Sequence, residues 1–334
     1  MRYKLIVAGL LGVFGLYAAF WAYMANSVEG RLAEVAADEE AKGNKLHWDG
    51  LTVTGFPSRM RVEITGVAYV QHVHSEKMRF VMTKTLVADF LPYRLNHAIL
   101  DFPEPMIVDR HDPANAGKRL QTTATFDNAH MSVVTTDQGP RLSFEGEAAK
   151  ITDDLEGTFT AARIGFHLRP GSSARALELY IDADKAVLPA FAPDAYDIKA
   201  KTTAEQGEVL YHGLTVRDWA EVGGVLKDID LTLQNGSFTI FGRGAATVSD
   251  TGILRAKLDV TVDQTGAFLS QMGALQNWSQ QNQSLIESLV NMADLADGSQ
   301  DQKAKVTLVA DERAVMAGPF RIDDPVNLGP ALGF

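Results

Sequence analysis

Two short histidine clusters hold the residue types best suited to chemistry. His72 and His74 stand two apart, a spacing that on a strand puts both imidazoles on one face, where neutral rings can share an ion. Glu76 has the same parity. No further imidazole follows at a recognisable ligand spacing, so the pair reads as solvent-facing histidines at a strand end and no metal is expected. Asp109, His111 and Asp112 form a second candidate cluster for acid/base or metal chemistry, but Pro113 and the Ala-Asn-Ala-Gly that follows suggest a polar loop. The carboxylate pairs Asp153-Asp154 and Asp323-Asp324 are adjacent, and in a strand they would face opposite ways. Glycosidase-like carboxylates would therefore have to converge from distant strands.

Signatures of phosphate loops, nucleophile elbows and zincin helices do not occur. The glycines of Gly242 to Thr247 lie inside a strand pattern and mark a bulge or a close backbone approach, not a nucleotide loop. Zero cysteines exclude disulfides, thiolate metal sites and a cysteine nucleophile. A net charge of −11 argues against a nucleic-acid partner, which needs a concentrated basic surface. The reading is of a non-enzymatic protein without cofactor or metal.

The elements that would position any function start with an apolar segment. Leu5 to Ser27 carries no charge, and at about 1.5 Å per residue it is long enough for the roughly 30 Å hydrocarbon core of a bilayer. Arg2 and Lys4 precede it, while Asp38, Glu39 and Glu40 follow, which favours a cytoplasmic N-terminus. Tyr17, Trp21 and Tyr23 gather at its far end as an interfacial belt would, and the apolar stretch exceeds that of a cleaved signal peptide. The expectation is a single-pass inner-membrane anchor with its bulk in the periplasm. Val28, Leu32, Val35 and Ala36 continue the helical period as a stalk, which Gly43-Asn44 stops.

Beyond the stalk the period drops to two. Met60, Val62 and Ile64 alternate with charged and polar residues, and strand-like runs follow at Met78 to Phe90, Leu95 to Phe102, Leu120 to Val134, Arg141 to Glu147, Thr158 to Leu168 and Ala176 to Leu188. Asn235-Gly236 predicts a two-residue hairpin turn, and Asp250-Thr251-Gly252 the next turn. Leu254, Leu258 and Val260 belong to an alternating strand after it. Gly266 to Ala296 reads as two short helices, the second opened by Ser284 and Glu287 as a capping box, and a last hairpin surrounds Asp311 to Arg313. The fold class is mainly β with α: a transmembrane helix (1–27), a helical stalk (28–44), a large curved antiparallel sheet in the form of a meander or half-pipe (45–262), a helical pair as cover (263–298) and a C-terminal hairpin and tail (299–334). Trp48 to Val53 also echoes Tyr211 to Val216, hinting at two related β units.

Gly50 to Val67 stands out as a strand, a sharp corner at Phe56-Pro57 and a return strand. Such a corner either packs into a core or forms the lip of a groove. The anchor, the WDGLTVTGFPSR opening, the meander from Gly236 to Asp263 and the closing VTLVADERAVMAGPFRI resemble a family of Gram-negative envelope proteins with a domain of unknown function and a GLxVxGFPxR-like opening. That family is in turn distantly similar to AsmA and TamB-type proteins. The resemblance implies an inner-membrane anchor, a periplasmic β-rich body and, through the AsmA-like relatives, a groove that handles lipid or assists envelope biogenesis.

About thirty residues of helical cover cannot seal a sheet of many strands, so part of its apolar face is expected to stay open for phospholipid acyl chains. Phe56, Met60, Val62, Ile64, Leu254, Leu258 and Val260 are the expected lining. The alternatives are a closed β-sandwich acting as scaffold or adaptor in an envelope protein complex and, third, a periplasmic hydrolase.

Overall fold

The computed structural model describes residues 2–73, 77–91, 93–112, 115–173, 175–189, 194–211, 216–272, 288 and 303–328. Helix α1 (Arg2–Ala41) is one continuous rod, long and apolar enough over its first part to cross a membrane. It ends where Gly43 adopts φ 85°, a conformation glycine takes without a Cβ penalty, and Asn44 N–H and Gly43 N–H bond back to the Glu39 and Glu40 carbonyls.

Among the described residues after α1, one antiparallel sheet holds eighteen strands. In chain order they are β1 (Lys45–His47), β2 (Gly50–Thr54), β3 (Met60–Val73), β4 (Lys77–Leu91), β5 (Arg94–Asp101), β6 (Met106–Asp112), β7 (Asn115–Thr125), β8 (Asn128–Thr136) and β9 (Gly139–Asp153). Then follow β10 (Gly157–Pro170), β11 (Leu177–Val187), β12 (Ala195–Glu205), β13 (Val225–Gln234), β14 (Thr239–Val248), β15 (Leu254–Asp263), β16 (Lys303–Ala310), β17 (Val315–Ala317) and β18 (Phe320–Asp323). Among the described residues three short helices interrupt them: α2 (Glu208–Tyr211), α3 (Val216–Glu221) and α4 (Thr265–Met272).

The topology is a plain meander once interrupted strands are joined. β5 and β6 both pair along one edge of β4, and β7 and β8 both pair along one edge of β9 in a single register. Pro103 and Pro105, which lack a donor for the ladder, fall in the first interruption, and Phe126-Asp127 makes the second. Leu120 to Val134, expected as one strand, is thus one line broken at that point. The return arm of the hairpin expected around Asp311 to Arg313 divides into β17 and β18 around Gly318.

Bulges bend the sheet where the sequence shows only ordinary residues. Ala148 in β9 and Lys185 in β11 have φ of 47° and 51°, and the inward apolar positions there step by three residues, from Gly146 to Ala149, Ile164 to Ala161 and Ala183 to Ala186. Asp228 does the same in β13, with a register shift against β14. Such bulges increase local twist and turn a strand out of plane.

Several expectations are corrected here. Asp109 to Asp112 lie in strand β6, not in a loop, because β6 and β7 meet in a tight hairpin. The turn after β13 has Gly236 and Ser237 at its centre, since Asn235 keeps φ negative and uses its side-chain oxygen to accept from Ser237 and Phe238 N–H. The echo of Trp48 to Val53 is not a repeat: the first segment runs into β2, whereas Tyr211 ends α2 and Val216 opens α3. His74, Glu76 and the second helix of the expected cover, with Ser284 and Glu287, lie outside the described residues.

Candidate functional site

Antiparallel pairing places directly opposed residues on the same face, so the register can be followed across the sheet. Starting at the α1 end, Val53 opposes Val62, Val62 opposes Ala88, Ala88 opposes Leu100, and Leu100 opposes Met131. The row continues through Phe144, Phe166, Ile181 and Ala200. It closes with Leu231, Gly242, Val260 and Val306. Every member is apolar. At about 4.8 Å per strand the row runs for roughly 58 Å, nearly twice the hydrocarbon thickness of a bilayer.

The adjoining row on the opposite face is its polar counterpart. It passes from Arg61 and Asp89 through Ile99, an exposed apolar member, to Ser132, Ser143, His167, Tyr180, Lys201, Asp230, Arg243, Asp259 and Thr307. Arg61 pairs with Asp89 at 3.3 Å and Arg243 with Asp230 at 3.7 Å, while Arg163 engages both Asp182 and Asp184. One face is built for water and the other for hydrocarbon.

Helices cover the apolar face only in patches. α1 lies over its first strands, where Met24 packs with Met60 and Val62 among Leu51, Val53 and Ile64. Helices α2 and α3 cap Leu177 and Ala204 with Trp219, whose indole N–H donates to the Glu205 carbonyl at 2.7 Å. Helix α4 seats Phe268 on Tyr196, Phe238 and Val262. A fourth cluster, of alanines along the bulge line, is roofed by Phe126 and Phe159. Among the described residues each cluster joins only neighbouring strands and a helix or aromatic ring, and no helix lies over β5 to β9. Leu100, Met131, Phe144 and Phe166 are accordingly half-buried, and Ile181 is 46% exposed.

The expected lining residues therefore separate into two groups. Met60 and Val62 are 0% and 3% exposed because α1 covers them, and Ile64 packs beside them. Phe56 is not beside an open channel: its ring meets those of Phe14 and Trp21 edge-on at 5.8 and 5.5 Å. Leu254, Leu258 and Val260 lie far along the sheet on β15, half-buried on the apolar face. The open middle of the row was not singled out by sequence reasoning, although each of its strands alternates.

Little chemistry gathers on the polar face. Ser143 Oγ lies 2.6 Å from His167 Nδ1, but His167 Nε2 is 3.9 Å from Asp182, too far for the hydrogen bond that would orient a catalytic base. Asp109 accepts from the Gln121 side-chain amide at 3.1 Å. No cluster of three or more potential metal ligands exists among the described residues.

A family model for uncharacterized proteins conserved in bacteria (DUF2125) matches residues 21–323, from the middle of α1 to the last strand. The chain belongs to this family. The DUF2125 match thus takes in the whole apolar row and all three short helices that cap it. No curated protein matches the chain.

Where the C-terminal end of α1 meets this DUF2125 sheet, one carboxylate gathers three donors. Glu39 accepts from Lys42 Nζ, Asn44 Nδ2 and Tyr69 Oη, each at 2.8 Å. The Lys42 hydrogen bond, with those of Asn44 and Tyr69, keeps the Glu39 carboxyl below its ordinary range, while burial and then Glu39 push the Tyr69 phenol up to about 12. A depressed acid stabilises fully above its unfolded value and loses that contribution as pH falls; a raised phenol stabilises below its unfolded value and loses it as pH rises towards 12. Glu39→Gln is expected to cost about 1 kcal/mol at neutral pH and to flatten the acid limb of stability between about pH 5 and 3. Chemical unfolding of the detergent-solubilised chain across pH measures this, and an unchanged acid limb would remove Glu39 from the junction.

Proposed function

We propose that the protein is a membrane-tethered, non-enzymatic β-groove that holds lipid acyl chains along its apolar face, with its body in the periplasm and a role in envelope biogenesis. The observation that carries this reading is the unbroken apolar row that starts beneath the membrane helix and stays half-exposed across the middle strands. An apolar surface of that extent is costly in water, at about 25 cal/mol for each Å² left wet, and a monomer that keeps one normally uses it for binding.

Acyl chains suit the surface better than a compact ligand does. The row is long and narrow and offers hydrocarbon without converging polar groups, which fits a flexible chain that needs no directional recognition. On the opposite face Arg61, Arg163 and Arg243 are engaged by cross-strand carboxylates, so these charges are directed away from the apolar row. The opening and closing segments resemble a family that is itself distantly similar to AsmA-type proteins, and that similarity supports the same reading.

Native mass spectrometry of the full chain, extracted in mild detergent, tests the proposal. Phospholipid retained in stoichiometric amount supports the groove. A lipid-free chain that instead crosslinks to envelope proteins would replace it with an adaptor role.

A further inference from the structure

The corner from Gly55 to Arg59 grips α1 unusually far towards its N-terminus. Phe56 sits among the rings of Phe14, Tyr17 and Trp21. The Tyr17 hydroxyl donates to the Pro57 carbonyl, and the Trp21 indole N–H donates to the Arg59 carbonyl at 3.2 Å. Arg59 N–H in turn bonds the Gly55 carbonyl at 3.2 Å, and Pro57 has no N–H to satisfy.

These contacts fix the depth of the corner. The charge-free part of α1 lies between Lys4 and Glu29. A hydrocarbon core of about 30 Å takes up about 20 helical residues. Any such window between those two charges includes the whole stretch from Phe14 to Trp21. A segment packed beside that stretch is at hydrocarbon depth wherever the helix settles. With the window drawn closest to the N-terminus, Phe56 still lies roughly 10 Å inside the boundary.

From this geometry we infer that the Gly55–Arg59 corner is inserted in the leaflet of the membrane that faces the β body, its occupant being the acyl chains of that leaflet. The inference rests on α1 spanning the membrane. Non-helical backbone is tolerated at such depth only where its polar groups find partners, and the helix supplies them through Tyr17 and Trp21. Phe56 is 42% exposed although three aromatic rings surround part of it, which leaves hydrocarbon to meet lipid. The pairing of Met60 with Phe90 puts the β4–β5 turn at the same end of the sheet, where Tyr93 is 76% exposed, as suits an aromatic at the membrane interface. The apolar row would then begin at lipid, with no aqueous gap to cross.

The absence of cysteine makes the test direct. Single-cysteine chains Phe56→Cys, Ser58→Cys, Val13→Cys and Leu155→Cys, each carrying an environment-sensitive fluorophore, are reconstituted in vesicles of phosphatidylethanolamine and phosphatidylglycerol. Quenching by nitroxides on the acyl chains is then compared with quenching by iodide in water. The expected result is that probes at positions 56 and 58 follow position 13, quenched from the lipid and lost to iodide, while position 155 follows iodide. Ser58→Cys leaves the aromatic cage intact, so it decides the matter if Phe56→Cys does not fold. Iodide quenching at 58 equal to that at 155, with position 13 still in lipid, overturns the insertion alone. Iodide quenching at 13 overturns the anchor and the insertion with it.

Discussion

Replacing both Phe166 and Ile181 with aspartate should strip bound phospholipid from the protein by at least about tenfold, because a tenfold loss needs only about 1.4 kcal/mol and a carboxylate facing hydrocarbon costs more than that. The two residues oppose one another on β10 and β11, where the half-exposed part of the row borders its capped part. Ile181 is already 46% exposed, so its replacement removes little packing, and folding stability should fall far less than lipid occupancy does. The matching control places the same charges one residue away. His167→Asp with Tyr180→Asp alters a directly opposed pair on the polar face and should leave lipid content unchanged. Lipid phosphorus per protein, with thermal unfolding of each variant, reads the result. Equal lipid in the apolar-face variant and the parent would show that the row is not where the chains lie.

The second large effect is on the sheet itself. A Cβ built on Gly244 would stand 1.9 Å from the Lys257 carbonyl oxygen and 3.0 Å from the Leu258 Cα, so the obstacle is the backbone of the next strand and not a side chain that can turn aside. Gly244→Ala must therefore push β14 and β15 apart, and a cost of about 3 kcal/mol or more is expected. Gly236→Ala gives the scale for comparison. There the added methyl meets nothing within 4 Å, and only the φ of 84° resists it, for about 1–2 kcal/mol. Urea unfolding midpoints of the two variants should order Gly244→Ala below Gly236→Ala, and the reverse order would contradict the close approach of the strands.

How far the sequence could be read follows from which interactions leave a local trace. The period of two at Met60, Val62 and Ile64 marks a strand with one apolar face, and the uncharged run before Glu29 marks a helix of membrane length; both depend on residues a few positions apart. What covers a face is not local. Met60 and Val62 alternate no differently from Leu258 and Val260, yet the first pair is sealed by α1 and the second is left half-buried. The open row was missed for a related reason: Leu100, Met131, Phe144, Phe166 and Ile181 look unremarkable one strand at a time and form a line only through the register. Ala148 and Lys185 gave no warning of their bulges, since positive φ is normally advertised by Gly or Asn. Phe56 was noticed as an aromatic at a proline corner, but its partners Phe14 and Trp21 are more than thirty residues upstream on α1.

The meander also bears on how the chain comes to be folded. Almost every long strand bonds to the strand just before it and the one just after, and outside the longer segments before β13 and β16 the closing loops are short and their entropic cost is small. Native pairing can therefore advance hairpin by hairpin from the N-terminal end as the polypeptide is synthesised, without waiting for its last residues. A growing sheet of this kind exposes one raw edge at a time, which limits the opportunity for mispairing while the chain is still incomplete.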